Sequence, residues 1–286
     1  MIKKLKKIFR LIIRKLVSNE FIWKIFQATI IRVSNLMVSE RNVIINSFTS
    51  DEGKRLFKKM LDELVVKNGP FKGMKYAGGY SFTSMILPKL IGSYENEILP
   101  VIEQICNTPY SEIINIGCAE GYYAVGFARK NKNTKVYAFD INETARKNCN
   151  EMAILNGVKE RIIIEGFCSK ETLMNFNFTE KGLIFCDCEG YEKELFDAEV
   201  AKKLKNCDFL IELHDSYDIY ISGYIKDIFN ETHDISIFQS TDDIKKPYIY
   251  SFKETDILSL KERKIMFTEF RSTTMEWVFL TSKQNV

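Results

Sequence analysis

Residues capable of ligand chemistry form small clusters in this 286-residue chain, each directly after a short apolar run. The first cluster, Gly117-Cys118-Ala119-Glu120-Gly121, follows an apolar run that ends at residue 116. Glycines between a strand and a helix allow the backbone to approach a ligand closely. Asp140 ends the next apolar run, where a carboxylate can accept hydrogen bonds from both hydroxyls of a ribose. Together these residues indicate a nucleoside site.

The glycine spacing distinguishes between two kinds of nucleotide. A dinucleotide fingerprint needs glycine at the first, third and sixth positions, which here are Gly117, Ala119 and Tyr122. A tyrosine does not fit where the helix must press against the strand. The spacing instead resembles the G-x-G-x-G loop of class I S-adenosylmethionine-dependent methyltransferases, with Ala119 at the middle position. The alternative is that Gly117 and Gly121 are only turn residues and Asp140 only a helix cap.

Further cofactor contacts are expected at neighbouring strand ends. Phe167 follows the third strand and would border the adenine, where such enzymes often have an acidic residue. Asn115 stands where an acid is more usual, and its side-chain oxygen could meet the methionyl ammonium without a charge. The predicted cofactor-binding residues are Asn115, Gly117, Ala119, Gly121, Asp140, Ile141, Phe167 and Asp187.

His214 and Asp187 are the predicted catalytic residues. Methyl transfer from a sulfonium is an in-line displacement, and a hydroxyl acceptor must also lose its proton to a nearby base. His214 ends a strand beside Asp215, and a neighbouring carboxylate could hold one tautomer of its ring. Asp187 is the close alternative, as the base or as the group that orients the acceptor. A histidine that merely caps its strand is the other interpretation, and it is the favoured one for His233.

A metal ion is a second interpretation of the same residues, although no metal ligand is assigned. Asp187, Glu189, His214 and Asp215 could coordinate a hard cation such as Mg²⁺, because such sites need several oxygen ligands. An ion there could hold two adjacent sugar hydroxyls and lower the pKa of one. The pair Cys186 and Cys188 offers too few ligands for zinc and favours core packing.

Strand and helix alternate from residue 112 onwards, which predicts a Rossmann-like, doubly wound α/β fold with a mostly parallel sheet. The late runs at 235–238 and 276–281 favour antiparallel strands at the edge. Sheets of this kind bind ligands beyond the carboxyl ends of their strands, where the polar clusters collect. The other predicted strands are 112–116, 135–139, 162–164, 183–186 and 208–213, with helices at 94–106, 121–130 and 143–156.

The first 90 residues are predicted to form a helical N-terminal segment, followed by a cofactor-binding domain at 91–286. Residues 2–17 form a basic amphipathic pattern that is too short and too charged to span a bilayer. Such a helix either lies on an anionic membrane surface or docks on its own domain. Further helices are expected at 20–38 and from 49 to about 66, then a short extended entry near residue 71.

Composition excludes several classes of protein. Residues 1–41 contain ten Lys or Arg against two acids (+8), whereas the remainder contains 31 against 36 (−5). A nucleic-acid enzyme usually spreads positive charge over the face that follows phosphates, so DNA and RNA are not expected as substrates. Seven cysteines scattered through apolar runs indicate a reducing compartment, and the cytoplasm is predicted, with residues 2–17 optionally at the inner membrane face.

A family resemblance follows from these motifs. The stretch 113–121, Asp140 and the run Asp187-Cys188-Glu189-Gly190-Tyr191-Glu192 together resemble FkbM-like methyltransferases, over roughly residues 94–215. In that family a D-x-E-G-Y/H-E signature follows the fourth strand. The resemblance implies S-adenosylmethionine-dependent O-methylation of a sugar, glycan or natural-product hydroxyl, as in bacterial polysaccharide pathways. Transfer to an amine or carboxylate, and an inactive membrane-associated cofactor-binding partner, remain alternatives. The acceptor and the oligomeric state are not indicated.

Overall fold

The computed structural model describes residues 18, 51–60, 63–78, 81, 84–271 and 273–283. Contacts divide the chain into two compact units, residues 1–45 and 46–286, and every element below belongs to the second. The helices predicted at 2–17 and 20–38 lie outside the described residues, as does the predicted helix start at Thr49. In the part of the chain that is described, no helix combines the length and the apolar character needed to cross a membrane.

A seven-stranded sheet of order β3-β2-β1-β4-β5-β7-β6 lies at the centre of this unit. Strands β1 to β5 run parallel, whereas β7 is antiparallel to both of its neighbours, β5 and β6. The predicted fold class, mostly parallel with an antiparallel edge, is confirmed. The strands are β1 (Glu112–Ile116), β2 (Lys135–Phe139), β3 (Ile162–Glu165), β4 (Leu183–Cys186), β5 (Asp208–Leu213), β6 (His233–Gln239) and β7 (Glu276–Ser282).

Short helices connect the strands and cover the sheet. The helix at Glu143–Leu155 shows how sequence sets their ends: the Asn142 side chain accepts hydrogen bonds from the backbone N–H groups of Thr144 and Ala145, which caps the first turn of this helix. The described helices are α1 (Asp51–Met60), α2 (Ile86–Ile91), α3 (Leu99–Asn107), α4 (Tyr122–Lys130), α5 (Glu143–Leu155), α6 (Lys170–Asn175), α7 (Glu192–Leu195), α8 (Ala198–Lys203), α9 (Ile221–Phe229), α10 (Lys246–Ile249) and α11 (Leu260–Phe267).

Two apolar cores lie on opposite faces of the sheet. Successive residues of a strand point to opposite faces, so Ile113 belongs to one core and Ile114 to the other. The first core also contains Leu56, Phe71 and Leu90, from segments that precede residue 91. It therefore runs across the boundary predicted between residues 90 and 91, and the segments before β1 pack directly on the sheet that carries the site.

Candidate functional site

A cleft of 420 Å³ opens beyond the carboxyl ends of β1, β2 and β4. This is where the strand order reverses, because the chain leaves β1 toward β2 and β3 and returns on the other side as β4 and β5. Open α/β sheets bind their ligands at such a switch point. The volume lies within the range of about 300–1,000 Å³ that is usual for small-molecule sites.

Gly117 brings three strand ends together beneath the cleft. Its backbone is left-handed, with φ of +75°, and its N–H donates to the Phe139 carbonyl oxygen at 2.9 Å. A Cβ atom here would lie 1.7 Å from the Asp187 carbonyl oxygen, so no other residue fits without a shift of the backbone. Gly121 has a φ of +95°, and a Cβ atom there would lie 2.8 Å from the Cys149 sulfur, so glycine lets the start of α4 approach Cys149 closely.

Asp140 is held by the loop around it. Its Oδ2 accepts a hydrogen bond from the Ala119 N–H at 2.9 Å, and its Oδ1 accepts one from the Asn142 N–H at 2.8 Å. Burial raises the pKa of Asp140, and these two hydrogen bonds and the nearby Arg146 only partly oppose it. An ionised carboxylate has about four acceptor positions. The two that remain match a pair of adjacent hydroxyls.

Apolar side chains border the same cleft. Ile141 is 79% exposed and Phe167 is 57% exposed, although both are large apolar residues. The Phe167 ring also lies 5.6 Å from that of Tyr191, centroid to centroid. These side chains provide an apolar surface on which a flat ring can bury area, next to a carboxylate that can hold a diol.

The structure places six of the eight predicted cofactor residues on this cleft, namely Gly117, Ala119, Asp140, Ile141, Phe167 and Asp187. The other two, Asn115 and Gly121, do not line it. Asn115 is buried in β1 between Ala138 and Phe185, and its amide has no hydrogen-bond partner among the described residues. Asn115 therefore does not reach the cleft, where the predicted contact with the methionyl ammonium would have to form.

Glu120, inside the glycine loop, is tied to the segment before the sheet. Its Oε1 lies 2.6 Å from Lys89 Nζ of α2, and the pair is almost completely buried. The same oxygen accepts hydrogen bonds from the hydroxyls of Ser81, at 2.8 Å, and Tyr76, at 3.0 Å. Burial alone would raise the pKa of Glu120, but the charge and hydrogen bond of Lys89, together with the hydrogen bond from Ser81, outweigh it and the pKa is lowered. Helix α2 thus fixes the loop that forms the cleft.

A second, polar pocket of 210 Å³ adjoins the cleft, and Asp187 and Glu189 line both. Its other polar side chains include Glu95, Glu212, His214, Glu269 and Arg271. Asp187 therefore stands at the junction between a site suited to a nucleoside and a site of strongly acidic character. Asp187, Glu189 and His214, which the sequence places at the ends of neighbouring strands, line this one pocket.

His214 is 3% exposed at its side chain and is held by carboxylates on both sides. Its Nδ1 lies 2.6 Å from Glu192 Oε1, while Nε2 faces Asp187 Oδ1 at 3.5 Å and Glu189 Oε2 at 3.6 Å. Burial lowers the pKa of His214, but the hydrogen bond that Glu192 accepts from the ring, together with the charges of Glu212, Glu192 and Glu189, outweighs it, so the pKa is raised. Burial, then Glu212 and Glu189, raise the pKa of Asp187 well above its usual range.

Asp215 does not orient the His214 ring, contrary to expectation. Its carboxylate accepts hydrogen bonds from the Ser222 N–H, at 2.9 Å, and from the Ser222 hydroxyl, so it caps α9 instead. Glu192, from the DCEGYE run, takes the predicted role. The interpretation of His233 as structural agrees with its contacts, since Nε2 lies 3.0 Å from the Cys207 carbonyl oxygen and Nδ1 2.8 Å from Thr232 Oγ1.

Sequence reasoning missed the ion-pair network beneath the polar pocket. Arg271 lies 2.8 Å from Glu95 Oε1 and 3.0 Å from Glu269 Oε2, and it also contacts Glu212. Burial raises the pKa of Glu95 to about 8, against the effect of Arg271. Only Glu212 carried a signal, as a carboxylate in the apolar run of β5. Glu95 and Arg271 are 176 positions apart and no local pattern links them.

Comparisons with known proteins identify no family, because no family profile and no curated protein matches the chain. Its fold is similar to that of several solved structures. The O-methyltransferase TomG from Streptomyces achromogenes, in complex with SAM, is 10% identical, with a TM-score of 0.42 over 64% of this chain and 80% of that one. Precorrin-6y C5,15-methyltransferase from Geobacter metallireducens is 9% identical, with a TM-score of 0.43 over 65% and 89%.

An rRNA methylase from Streptococcus thermophilus is 12% identical, with a TM-score of 0.43 over 65% of this chain and 97% of that one. Similarity at this level describes the path of the chain over about two thirds of its length and does not identify a substrate.

Proposed function

We propose that the protein is an S-adenosylmethionine-dependent methyltransferase that methylates a hydroxyl of a sugar, glycan or natural product. The observation that carries this proposal is the junction at Asp187. On one side the cleft offers a carboxylate for a diol and apolar side chains for a flat ring. On the other side lies a polar pocket with a buried histidine. Membership of the FkbM-like family stays a prediction from the DCEGYE run.

The residues of the cleft fit the cofactor. Gly117 leaves no Cβ between the loop and the strand ends, and Asp140 keeps two acceptor positions for the ribose hydroxyls. Ile141 and Phe167 are placed to bury the adenine. S-adenosylmethionine supplies, when bound, a methyl group that passes to the acceptor oxygen as its bond to sulfur breaks and the hydroxyl loses its proton. Positioning provides most of the acceleration in such a displacement.

His214 is the proposed base, with Asp187 as the close alternative. The hydrogen bond at Nδ1 directs the Nε2 lone pair into the polar pocket, where an acceptor hydroxyl can give up its proton. Asp187 borders both cavities and is placed to orient the acceptor towards the cleft. Glu192 fixes the ring and acts through His214.

An amine acceptor is the second candidate, and the charge of the polar pocket favours it. Five carboxylates line that pocket, with Arg271 and His214 as the basic residues. Such a surface attracts a cation and repels a carboxylate acceptor.

A location in the cytoplasm and a contact of residues 2–17 with the membrane stay predictions from the sequence. Sedimentation of the full chain with anionic vesicles tests the membrane contact.

The decisive experiment is cofactor binding by the full chain. Calorimetry with S-adenosylhomocysteine should show one site per chain, and Asp140→Ala should weaken binding at least tenfold because both ribose contacts are lost. Asp234→Ala, an exposed aspartate on β6, is the matched control and should bind normally. A wild-type protein without affinity, or equal affinity in Asp140→Ala, would refute the proposal. Acceptors are then compared by transfer of labelled methyl to sugars and to amines.

A further inference from the structure

Three ligand atoms converge at the inner end of the polar pocket. Asp187, Glu212 and His214 each offer one ligand atom, and all three atoms lie within 4.8 Å of one another. His214 Nε2 lies 3.5 Å from Asp187 Oδ1 and 3.8 Å from Glu212 Oε2. Two ligands about 2.1 Å from one ion, at an angle near 110°, are about 3.4 Å apart. The spacing of these atoms is therefore close to that around a bound ion.

Hydrogen bonding does not account for this arrangement. Hydrogen bonds between nitrogen and oxygen measure about 2.7–3.2 Å, so Nε2 is too far from either carboxylate to form a normal one. The Oδ1 atom of Asp187 is buried and has no hydrogen-bond partner in the described part of the chain. The His214 side chain is 3% exposed, and its Nε2 lies 3.5 Å from this oxygen. A buried acceptor without a hydrogen-bond partner among the described residues thus lies close to, but outside normal hydrogen-bond distance of, the ring of a buried histidine.

Two of the three prospective ligands, His214 and Glu212, are also held in orientation by a second residue. Glu192 Oε1, itself completely buried, contacts Nδ1 of His214 at 2.6 Å and so leaves the Nε2 lone pair pointing forward. Arg271 contacts Oε1 of Glu212 and leaves Oε2 facing His214. A carboxylate behind a metal-binding histidine is the usual outer-shell arrangement. In this protein Glu192 contacts His214 and Arg271 contacts Glu212 in this way.

We propose that Asp187, Glu212 and His214 hold one divalent transition-metal cation, Mn²⁺ or Zn²⁺, at the inner end of the polar pocket. An imidazole nitrogen in the donor set favours these ions over Mg²⁺, which takes oxygen ligands. Glu189, whose Oε2 is 3.6 Å from Nε2 and whose side chain is exposed, would lie beside such an ion without being one of its three ligands.

If the protein transfers methyl groups as proposed, the ion would also select the acceptor molecule. Two adjacent sugar hydroxyls can bind the open positions, and the ion lowers the pKa of a bound hydroxyl. His214 is then a ligand rather than the base, because both roles use the Nε2 lone pair. The proton of the reacting hydroxyl would pass to Glu189, and the deprotonated oxygen would bond to the methyl group as the bond between that methyl group and the cofactor sulfur breaks.

Manganese binding tests the site directly. Full-length protein freed of metal by chelation is titrated with MnCl₂, and free Mn²⁺ is followed by its electron paramagnetic resonance signal. One Mn²⁺ per chain is expected, with Zn²⁺ competing and Mg²⁺ competing at least 100-fold less well. His214→Asn and Glu212→Gln should each weaken binding 100-fold or more. Glu192→Gln should weaken it about 10–100-fold, as outer-shell changes do.

Asp234→Asn is the control and should bind Mn²⁺ as the wild type does, and circular dichroism confirms that each variant is folded. The inference is wrong if the wild type binds no Mn²⁺ or Zn²⁺ at millimolar concentration, or if His214→Asn binds as tightly as the wild type. Binding of S-adenosylhomocysteine without Mn²⁺ binding would remove the metal site alone. Binding of Mn²⁺ without S-adenosylhomocysteine would remove the methyltransferase alone.

Discussion

At the scale of single residues, the site depends on positions where only one type of residue fits. Gly117 is the clearest, because it combines a left-handed backbone with contact against the end of β4. Gly157, after α5, has a similar φ of +67°, but a Cβ there would meet nothing within 4 Å. The two glycines separate the cost of backbone conformation from the cost of a steric clash.

Gly117→Ala should lower the free energy of unfolding by about 2–4 kcal/mol, since strain and overpacking add. Gly157→Ala should cost only about 1 kcal/mol, the cost of the left-handed backbone. Urea unfolding measures both values. Equal losses in the two variants would show that the contact with Asp187 can relax. Affinity for S-adenosylhomocysteine should fall in Gly117→Ala alone, because the displaced β4 end lines the cleft.

At the scale of elements, the sequence predicts the sheet well and the polar network poorly. Strands such as Glu112–Ile116 are short apolar runs rich in β-branched residues, and burial on both faces makes that pattern continuous. The position of polar side chains at the strand ends also follows from the sequence, because parallel strands bring their carboxyl ends to one edge. The contacts that these side chains make with other segments do not. Arg271 comes from the loop before β7, and Glu192 from α7, so their contacts depend on packing between distant segments.

The Lys89–Glu120 pair connects two elements, α2 and the glycine loop. Lys89→Met should lower the free energy of unfolding by about 3–5 kcal/mol, because it leaves a buried carboxylate without its cation. The double variant Lys89→Met/Glu120→Gln should recover part of this loss. Lys147→Met, which breaks an exposed pair with Glu143, should change stability by about 0.5 kcal/mol or less. Thermal and urea unfolding of the three proteins measure these differences.

Cofactor binding shows whether that pair also positions the loop. Affinity for S-adenosylhomocysteine should fall in Lys89→Met at temperatures where the variant is fully folded, since Glu120 adjoins Ala119, which holds Asp140. An unchanged affinity would mean that the pair stabilises the fold without shaping the cleft.

At the scale of the whole molecule, buried carboxyls concentrate around the polar pocket and make stability depend on pH. Glu97, in the short helical turn before α3, has both carboxyl oxygens buried without a hydrogen-bond partner among the described residues. Burial, and then the charge of Glu269, raise its pKa to about 7, against the effect of Arg271. The unfolded chain ionises Glu97 near its model-peptide pKa of about 4.3. Between these two values the unfolded chain releases a proton that the folded chain retains.

Stability should therefore fall as pH rises from about 4.5 to about 7, because a raised carboxyl pKa favours folding only while the group stays protonated. Glu97→Gln removes the contribution of Glu97 to this dependence and should stabilise the protein at pH 8 by up to about 3–4 kcal/mol, the free-energy equivalent of that pKa shift. At pH 4.5 the variant should match the wild type. Urea unfolding at both pH values gives the comparison, with Glu103→Gln, exposed on α3, as the control. A variant that is less stable than the wild type at pH 8 would contradict this prediction. It would show that ionised Glu97 is stabilised by a cationic partner and that positive charge offsets the negative charge around the pocket.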